Sequence, residues 1–308
     1  MRCARWLFAA LFASSVVGGA HAQTAAILGD ISASRDADRF DALRFRTGAL
    51  ASYASSFDYA GLAVQTTHYS QSGWHRDVEA ILALWRDQRR DTLAGTLAEA
   101  GLARVAGHTR FIGDATWSLR PTQRTGIELL AAGDLVETQR ALDRAIAYTL
   151  FGASAEQQLA ERFTAIGLAA YQHFTDANER LHFRGRLIWL LVPEHGITAQ
   201  LRWRQYQTKQ LDVEGAYFNP GRYHEWQAAL AMRKRYGGWL WSGTLAAGRE
   251  EIDGNVTHPT ALADLRAEGA LGNNARLIVR AAYNRAAGFA AADGYWYRLL
   301  GVTLIVPF

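Results

Sequence analysis

Cysteine, proline and long apolar runs are scarce in this sequence. Cys3 is the only cysteine, which excludes an intramolecular disulfide and a metal site built from several thiolates. Five prolines in 308 residues leave few points at which regular structure must stop. Beyond residue 22, apolar stretches such as LIWLLV at 187–192 end within a few residues at a charge or a proline. A transmembrane helix needs about 20 apolar residues, so none is expected there.

A strong charge of one sign is also missing. The formal net charge is +4, and it falls to +2 without Arg2 and Arg5, because residues 1–22 contain no Asp or Glu. A chain this mildly basic is not expected to bind nucleic acid.

The first 22 residues, MRCARWLFAALFASSVVGGAHA, have the organisation of a secretory signal peptide. Two arginines precede an apolar run, and AHA at 20–22 forms a small-x-small cleavage signature. The alternative, a membrane anchor, would need a longer apolar run. We therefore expect a cleaved signal peptide over residues 1–22, Sec-type export, and a mature chain of residues 23–308 in the Gram-negative outer membrane.

Alternation of apolar and polar residues with period two runs through the rest of the chain. It is clear in RLHFRGRLIWLL (180–191), ITAQLRWRQY (197–206) and HEWQAALAMRKR (224–235), where the arginines share one face of each predicted strand. Period two predicts strands, either in a periplasmic globule or in an outer-membrane barrel. We predict an all-β fold, a transmembrane antiparallel up-and-down β-barrel of about sixteen strands, or about fourteen, over residues 23–308. Residues 92–105 and 153–162 are helical candidates on propensity, the second within a periplasmic turn.

The last strand favours the barrel over the globule. Its even positions from Trp296 to Phe308 are apolar apart from one arginine, with an aromatic residue at each end. This is the pattern of a strand that faces lipid between two membrane interfaces. Val302, Leu304, Val306 and Phe308 also resemble the C-terminal signal by which the outer-membrane barrel assembly machinery recognises its substrates. We expect that machinery and outer-membrane lipid to be partners of the chain.

The face of the strands opposite the lipid is predicted to carry many charges. Eight arginines fall on positions predicted to line the pore: Arg184, Arg186, Arg202, Arg204, Arg233, Arg235, Arg276 and Arg280. The acidic residues predicted to face the lumen are Asp77, Glu79, Asp114, Glu128, Asp134, Asp264 and Glu268. Charges of the two signs could pair across a wet lumen and stiffen it. Alternatively, the first six arginines, on three neighbouring strands, could hold an anionic or hydroxyl-rich solute, because the guanidinium fork suits carboxylates and phosphates.

The most distinctive motif lies in a long connection predicted at the outer side. It consists of Tyr217, Phe218, Asn219 and Pro220, followed by Tyr223. This segment resembles the Tyr-Phe-x-Pro segment of YaiO-type outer-membrane β-barrels and of the C-terminal barrels of exopolysaccharide export proteins for cellulose and poly-N-acetylglucosamine. The alternative interpretation is a proline turn whose aromatic residues lie at the membrane interface.

The resemblance implies a sixteen-stranded outer-membrane barrel with a role in passing polymer outward. The large exporters carry a tetratricopeptide superhelix before the barrel, whereas here the barrel is expected to begin within a few residues of Gln23. The resemblance therefore favours a stand-alone barrel, or one that borrows a separate periplasmic scaffold.

Candidate catalytic residues do not form a complete set in the sequence. His68, His108 and His258 are predicted near the outer ends of strands, and His68 and Ser70 could share one face. A serine nucleophile also needs a third group that orients the base, and no Asn or Asp of the same strand supplies it. No cluster of His, Asp and Glu has the close spacing of a metal site. We therefore expect neither an enzyme nor a cofactor.

The sequence as a whole predicts an outer-membrane pore. The first hypothesis is a conduit or accessory for exopolysaccharide export, with a polysaccharide and a periplasmic scaffold protein as partners. Two alternatives stay open, namely an anion-preferring small-solute porin and a barrel whose outer loops form a surface receptor or adhesion site.

Overall fold

The structure is a computed structural model that describes residues 24–255, 257–272, 275–286 and 295–308. The predicted signal peptide, residues 1–22, lies outside the described residues. The described part of the chain is almost entirely β-strand. The strands are β1 Thr24–Asp36, β2 Asp41–Ser55, β3 Asp58–Gln71, β4 Trp74–Gln88, β5 Gly95–Val105, β6 His108–Leu119, β7 Thr125–Leu135, β8 Ala147–Ala160, β9 Phe163–Phe174, β10 Glu179–Val192, β11 Ile197–Thr208, β12 Arg222–Tyr236, β13 Trp239–Ile252, β14 His258–Leu271, β15 Ala275–Arg285 and β16 Tyr297–Pro307.

The sixteen strands form one closed antiparallel barrel. Each strand pairs with its neighbours in sequence, and β1 closes the barrel by pairing with β16, for example Ile27 opposite Val306. The prediction of a sixteen-stranded up-and-down barrel is therefore confirmed. Closure leaves no sheet edge with unpaired backbone groups.

Period-two alternation places apolar side chains on the exterior. Large exposed apolar residues, such as Ile81, Leu230 and Leu245, form a band around the outside, with 57–64% of their surface exposed. On the same strands the alternate residues point into the lumen, where Gln227 and Glu225 of β12 are buried. A fold with an apolar outside and a polar inside is the inverse of a water-soluble globule, and it fits a lipid surround.

Connections of different length divide the two ends of the barrel. The long described connections, residues 136–146 and 209–221, follow the odd-numbered strands β7 and β11, whereas β12 and β13 are joined by only Gly237 and Gly238. Both glycines have positive φ, 58° and 80°, the backbone shape that a two-residue hairpin turn requires. Because these barrels carry their longer loops outside, we call the end with residues 136–146 and 209–221 the outer end and the other the periplasmic end.

Two short helical segments interrupt the strands. Helix α1, Gln139–Asp143, lies in the outer connection between β7 and β8, and a single 3₁₀ turn, Pro193–His195, joins β10 to β11. In the part of the chain that the structure describes, no helix is long and apolar enough to cross a membrane.

The two helical candidates from the sequence were wrong. Residues 95–105 form β5 and residues 147–160 form β8, each paired along its length with both neighbouring strands. The Ala-, Leu- and Glu-rich composition favours helix in isolation, but pairing on two sides overrides that preference. The helix that does form, α1, is only five residues long and depends on tertiary contacts.

The last strand has the orientation predicted from its sequence. Leu300, Val306 and Phe308 are exposed on the exterior, whereas Ile305 is buried and Thr303 donates a hydrogen bond to Asp30 inside the barrel. Recognition of this strand by the assembly machinery stays a prediction.

Adjacent residues of β13 provide a test of the inside and outside assignment. Leu245 faces outward at the middle of the strand, and Thr244 faces the lumen opposite Asp264 of β14. Leu245→Arg should destabilise the barrel by about 2–4 kcal/mol, the cost of a cation in the middle of the bilayer. Thr244→Arg should cost far less, because the lumen is wet and Asp264 offers an acceptor. Urea unfolding in lipid vesicles measures the free energy of unfolding of both variants. Equal losses of stability would contradict the assignment.

Candidate functional site

The candidate site is a cavity inside the barrel, lined mainly by β10, β11 and β12. It has a volume of about 320 Å³. Its walls combine cationic, acidic and amide side chains, including Arg184, Arg186, Arg202, Arg204, Glu225 and Gln227, with Glu128, Ser154 and Asn284 across the lumen. The site exists because even-numbered residues of β10 and β11 and odd-numbered residues of β12 all point inward.

Strand register brings four arginines together in this cavity. Arg184 lies directly opposite Arg204, and Arg186 lies directly opposite Arg202, across the β10–β11 pair. Arg204 is tied into the wall, with its Nε atom 3.0 Å from Glu225 Oε2 and its Nη2 atom donating to Tyr223 Oη at 2.8 Å. Like charges directly opposite each other on a sheet are unfavourable, so this arrangement costs stability.

The other three arginines have no direct partner. Among the described residues, no side chain forms an ion pair or hydrogen bond with Arg184, Arg186 or Arg202. Each guanidinium carries five donors in a rigid fork that matches carboxylate or phosphate. The wall of β10 and β11 therefore presents three unpaired cations to whatever occupies the cavity.

The remaining predicted pore-lining arginines lie elsewhere. Arg276 pairs with Glu268, and Arg280 pairs with Asp264 at 2.6 Å, so both are held by acidic neighbours inside the barrel. Arg233 and Arg235 lie on inward positions of β12 but near its periplasmic end. Arg233 is six residues beyond Gln227, the partner of Arg202, which corresponds to about 20 Å along the strand. The six arginines that the sequence grouped on three strands are thus split into a cluster of four and a separate pair.

A second cavity of about 230 Å³ lies against β2 to β8 and is mixed in charge. Here the cations are paired: Arg44 with Glu137 at 2.8 Å and Arg46 with Glu99 at 2.7 Å. Asp114 and Asp134 also line this cavity, as expected for lumen-facing acids. The arginines on the β2–β8 side of the lumen therefore form ion pairs. On the β10–β11 side, three arginines form no ion pair with any described side chain.

The assignment of Asp77 and Glu79 to the lumen was wrong. Both share the exterior face of β4 with Ile81, which is exposed, whereas Val78 between them is buried. They lie at the outer end of β4, above the apolar band, where charge on the exterior is tolerated. The alternation of exposed and buried residues along β4 puts both carboxylates on the exterior face.

The connection that contains α1 folds across the outer mouth. Thr138 caps the helix by accepting a hydrogen bond from the Ala141 backbone N–H at 3.2 Å. Just before it, Glu137 accepts hydrogen bonds from Arg44 of β2 and Tyr69 of β3, each at 2.8 Å. These contacts hold the connection against the inner faces of β2 and β3. A five-residue helix leaves no periodic signal, so this segment was not predicted from the sequence.

The predicted loop motif lies in the other long connection and closes against the first. Tyr217 stacks on Phe174 at 4.8 Å, and the fully buried Asn178 donates to Asn219 Oδ1 at 2.9 Å. Burial and the nearby carboxylate of Asp176 raise the pKa of Tyr217 to about 12, so its hydroxyl remains a donor.

The two connections also contact each other. Thr138 donates to the Ala216 carbonyl, and Arg140 donates to the Glu214 carbonyl at 2.8 Å. Together we call residues 136–146 and 209–221 the mouth loops. They cover the outer end of the lumen. The structure thus places Tyr217, Phe218, Asn219 and Pro220 over the mouth rather than at the lipid interface.

An aromatic–arginine stack connects the mouth loops to the cavity. Tyr206 and Tyr223 stack at 4.7 Å, the guanidinium of Arg180 lies 4.6 Å from the Tyr206 ring centre, and that of Arg204 lies 4.9 Å from the Tyr223 ring centre. Arg180 also donates to the Phe218 carbonyl at 3.0 Å. The roles of Tyr206 and Glu225 were missed from sequence, although both stand on the same strand faces as the arginines.

The histidines weighed as catalytic candidates occupy the outer ends of strands as expected. His108 and His258 begin β6 and β14, and His68 lies near the end of β3 on the exterior face. In the described part of the chain, no group of three or more His, Cys, Asp and Glu side chains is placed to hold a metal ion.

Comparison with known proteins identifies the fold. No protein-family model matches the sequence, and no curated protein matches it. A solved structure described as a bacterial polysaccharide outer membrane secretin superposes with a TM-score of 0.63 at 11% identity, over 93% of this chain and 99% of that chain. CdiB from Acinetobacter baumannii superposes with a TM-score of 0.50 at 9% identity, and 92% of this chain covers 60% of that one. This chain is similar to both in fold, which is that of an outer-membrane β-barrel.

Proposed function

We propose that this protein is an outer-membrane conduit that helps to export an acidic exopolysaccharide. The observation that carries the proposal is the group of three unpaired guanidiniums, Arg184, Arg186 and Arg202, on one wall of the lumen. Uronate or other acidic substituents of a polymer would supply the carboxylates that these forks accept. A polymer with repeated charges would exchange one carboxylate for the next as it advances.

The surroundings of the arginines suit a sugar chain. The cavity also offers amide and carboxylate groups from Gln227, Asn284 and Glu128, which hydrogen-bond hydroxyl groups. Tyr206 and Tyr223 add flat aromatic faces between the cavity and the mouth. The structural neighbour described as a polysaccharide secretin lends fold-level support to the YaiO-type interpretation.

Passage of a polymer requires the mouth loops to move. They bridge the mouth through a few polar contacts and a small apolar cluster of Ala141, Ile146 and Ala216, so opening exposes little apolar surface. We propose that an arriving chain, presented by a separate periplasmic scaffold, displaces them.

The second candidate is a channel for small anions. The modest cavity volume favours it, because about 320 Å³ accommodates a small solute more readily than a polymer. Both candidates share the arginine wall, and they differ in whether a long chain enters it.

The first functional prediction concerns the mouth. The double substitution Asn178→Ala with Tyr217→Ala removes the buried contacts of the 209–221 loop. It should raise conductance in planar bilayers, because the loop no longer rests over the lumen. Tyr236→Ala, at an exposed site by the periplasmic turn, is the control and should leave conductance unchanged. If the double variant conducts like the wild type, the mouth loops do not limit passage.

The second prediction concerns ion selectivity. Arg186→Gln with Arg202→Gln removes two cations that lie opposite each other in the cavity. The open pore should prefer chloride to potassium, and this variant should lose that preference. The preference should also weaken from 0.1 M to 1 M salt, as the Debye length falls from about 10 Å to about 3 Å.

The control for selectivity changes net charge equally but outside the lumen. Arg90→Gln with Arg124→Gln alters two exposed arginines in periplasmic turns. Reversal potentials under a salt gradient compare the three proteins. An equal shift in both double variants would mean that net charge, and not the arginine wall, sets selectivity.

The third prediction separates the two candidate functions. In the mouth-loop variant, oligogalacturonate added from the periplasmic side should block the current more than dextran of the same length. The block should vanish when Arg186 and Arg202 are also replaced by Gln. Small-anion conduction without any block by oligogalacturonate would refute the polymer conduit and leave the anion channel.

A further inference from the structure

A serine, a histidine and an aspartate come together on the exterior of the barrel at its outer end. His68 of β3 lies directly opposite Asp77 of β4, and its Nδ1 atom is 2.6 Å from Asp77 Oδ1. Ser70 follows two residues later on the same exterior face of β3. The acid of this group is therefore supplied by the neighbouring strand β4.

We propose that Ser70, His68 and Asp77 form a catalytic triad that hydrolyses fatty acyl esters of lipids in the outer leaflet. A catalytic triad is defined by geometry, with a nucleophile beside a base and an acid that orients the base. Because an ionised carboxylate only accepts hydrogen bonds, the contact with Asp77 places the proton of neutral His68 on Nδ1. The Nε2 atom then keeps its lone pair and serves as the base.

The spacing along β3 allows Ser70 to reach that base. Side chains two residues apart on a strand are about 7 Å apart at their Cβ atoms, a distance that an imidazole and a hydroxymethyl group together span. Among the described residues, neither Ser70 Oγ nor His68 Nε2 has a hydrogen-bond partner, so no competing contact holds either group away. Catalytic hydrogen bonds are often open before substrate binds.

The triad lies at the boundary between the apolar band and the charged rim. One step below His68 on the exterior, Phe45 of β2 contacts its ring edge-on at 6.3 Å. Farther down, Val64 and Ile81 are exposed. At the level of Ser70, Asp41 of β2 pairs with Arg35 in a two-point contact at 2.5 and 2.6 Å. A lipid here would have its chains beside the apolar residues and its anionic headgroup near Arg35.

An exterior groove lies below the triad, and Phe45, which contacts His68, is one of its lining residues. It has a volume of about 490 Å³ and is lined on its open side by Ile31, Phe45, Val64, Val302 and Leu304. Gly29 lines this groove, and a Cβ built there meets nothing within 4 Å. Its apolar wall and its position below Ser70 suit one acyl chain, with the ester bond at the serine.

The reaction has two balanced steps. Ser70 Oγ attacks the ester carbonyl carbon while its proton moves to His68 Nε2, and the alcohol leaves with that proton to give an acyl-serine. Water then attacks the acyl-serine, gives a proton to His68 and releases the fatty acid as the proton returns to Ser70. Asp77 stabilises the imidazolium in both steps.

The test uses the full chain folded into vesicles of phosphatidylethanolamine and phosphatidylglycerol, with a second set that also contains lipopolysaccharide. The wild type should release fatty acid from one of these ester sources. The identity of the released fatty acid shows which lipid was cleaved. Ser70→Ala and His68→Asn should lower the rate by about 10²-fold or more, and Asp77→Asn should also lower it. His108→Asn, at the outer end of β6, is the control and should keep full activity.

A second readout is independent of the natural lipid. A fluorophosphonate probe should label Ser70 in the wild type, as located by mass spectrometry, and labelling should be lost in His68→Asn. Heat-modifiable migration on gels shows that each variant is folded. Absence of both fatty acid release and Ser70 labelling overturns the proposal, as does release that survives Ser70→Ala.

The groove is tested by filling it. Gly29→Leu should lower turnover of a long-chain p-nitrophenyl ester about tenfold, the usual effect of reshaping an apolar pocket, and leave the acetyl ester unaffected. Gly167→Leu on β9 is the matched control, since it is also exterior with open space at its Cβ. Equal effects of Gly29→Leu on both esters would show that the groove does not bind the acyl chain.

Discussion

The pairing of β1 with β16 is the contact on which the rest of this structure depends. Eleven residue pairs, from Ala26–Pro307 to Asp36–Tyr297, join the ends of the chain in an unbroken antiparallel register. In hydrocarbon no water is available to satisfy a free backbone N–H or C=O group, and each such group costs several kcal/mol. Only a closed sheet meets that demand. Closure also defines an inside and an outside, and it is this division that gives each side chain its environment.

The inside is uneven in charge. On the side of β2 to β8, Arg44 and Arg46 are matched by Glu137 and Glu99. On the side of β10 and β11, three guanidiniums form no ion pair or hydrogen bond with any described side chain, although Glu225 lies in the same cavity. A fold selected only for stability would pair these charges or replace them, because unpaired cations in a narrow lumen repel one another. This repulsion is the physical reason to assign an anionic solute to these guanidiniums.

The long connections and the groups of candidate functional side chains lie at the outer end. The mouth loops, the aromatic–arginine stack and the His68–Asp77 pair all lie there, while the periplasmic end has mostly short turns. Backbone without regular pairing is tolerated only outside the hydrocarbon or inside the lumen. The barrel wall thus acts as a rigid frame, and its rim carries the groups that could recognise solutes and lipids.

Local sequence determined the strands and the face of most residues, since alternation is a property of each segment alone. The alternation placed Arg184, Arg202 and Gln227 on inward faces, as the structure shows. The number of alternating segments predicted sixteen strands, which the structure confirms. Helix propensity gave a wrong prediction at residues 95–105, because pairing with β4 and β6 overrides the helical preference there. The lumen-facing prediction for Asp77 was wrong, because Asp77 shares the exterior face of β4 with Ile81.

The tertiary structure alone decided which residues meet. Register between strands put Arg184 opposite Arg204 and left Arg233 about 20 Å away along β12. Register also set Asp77 beside His68, and the fold of the α1 connection brought Glu137 to Arg44 of β2. A strand's pattern specifies its two faces, but its alignment with a neighbour is fixed by the hydrogen bonds of the whole closed sheet. Contacts between strands and across the lumen therefore had no signature in any single segment.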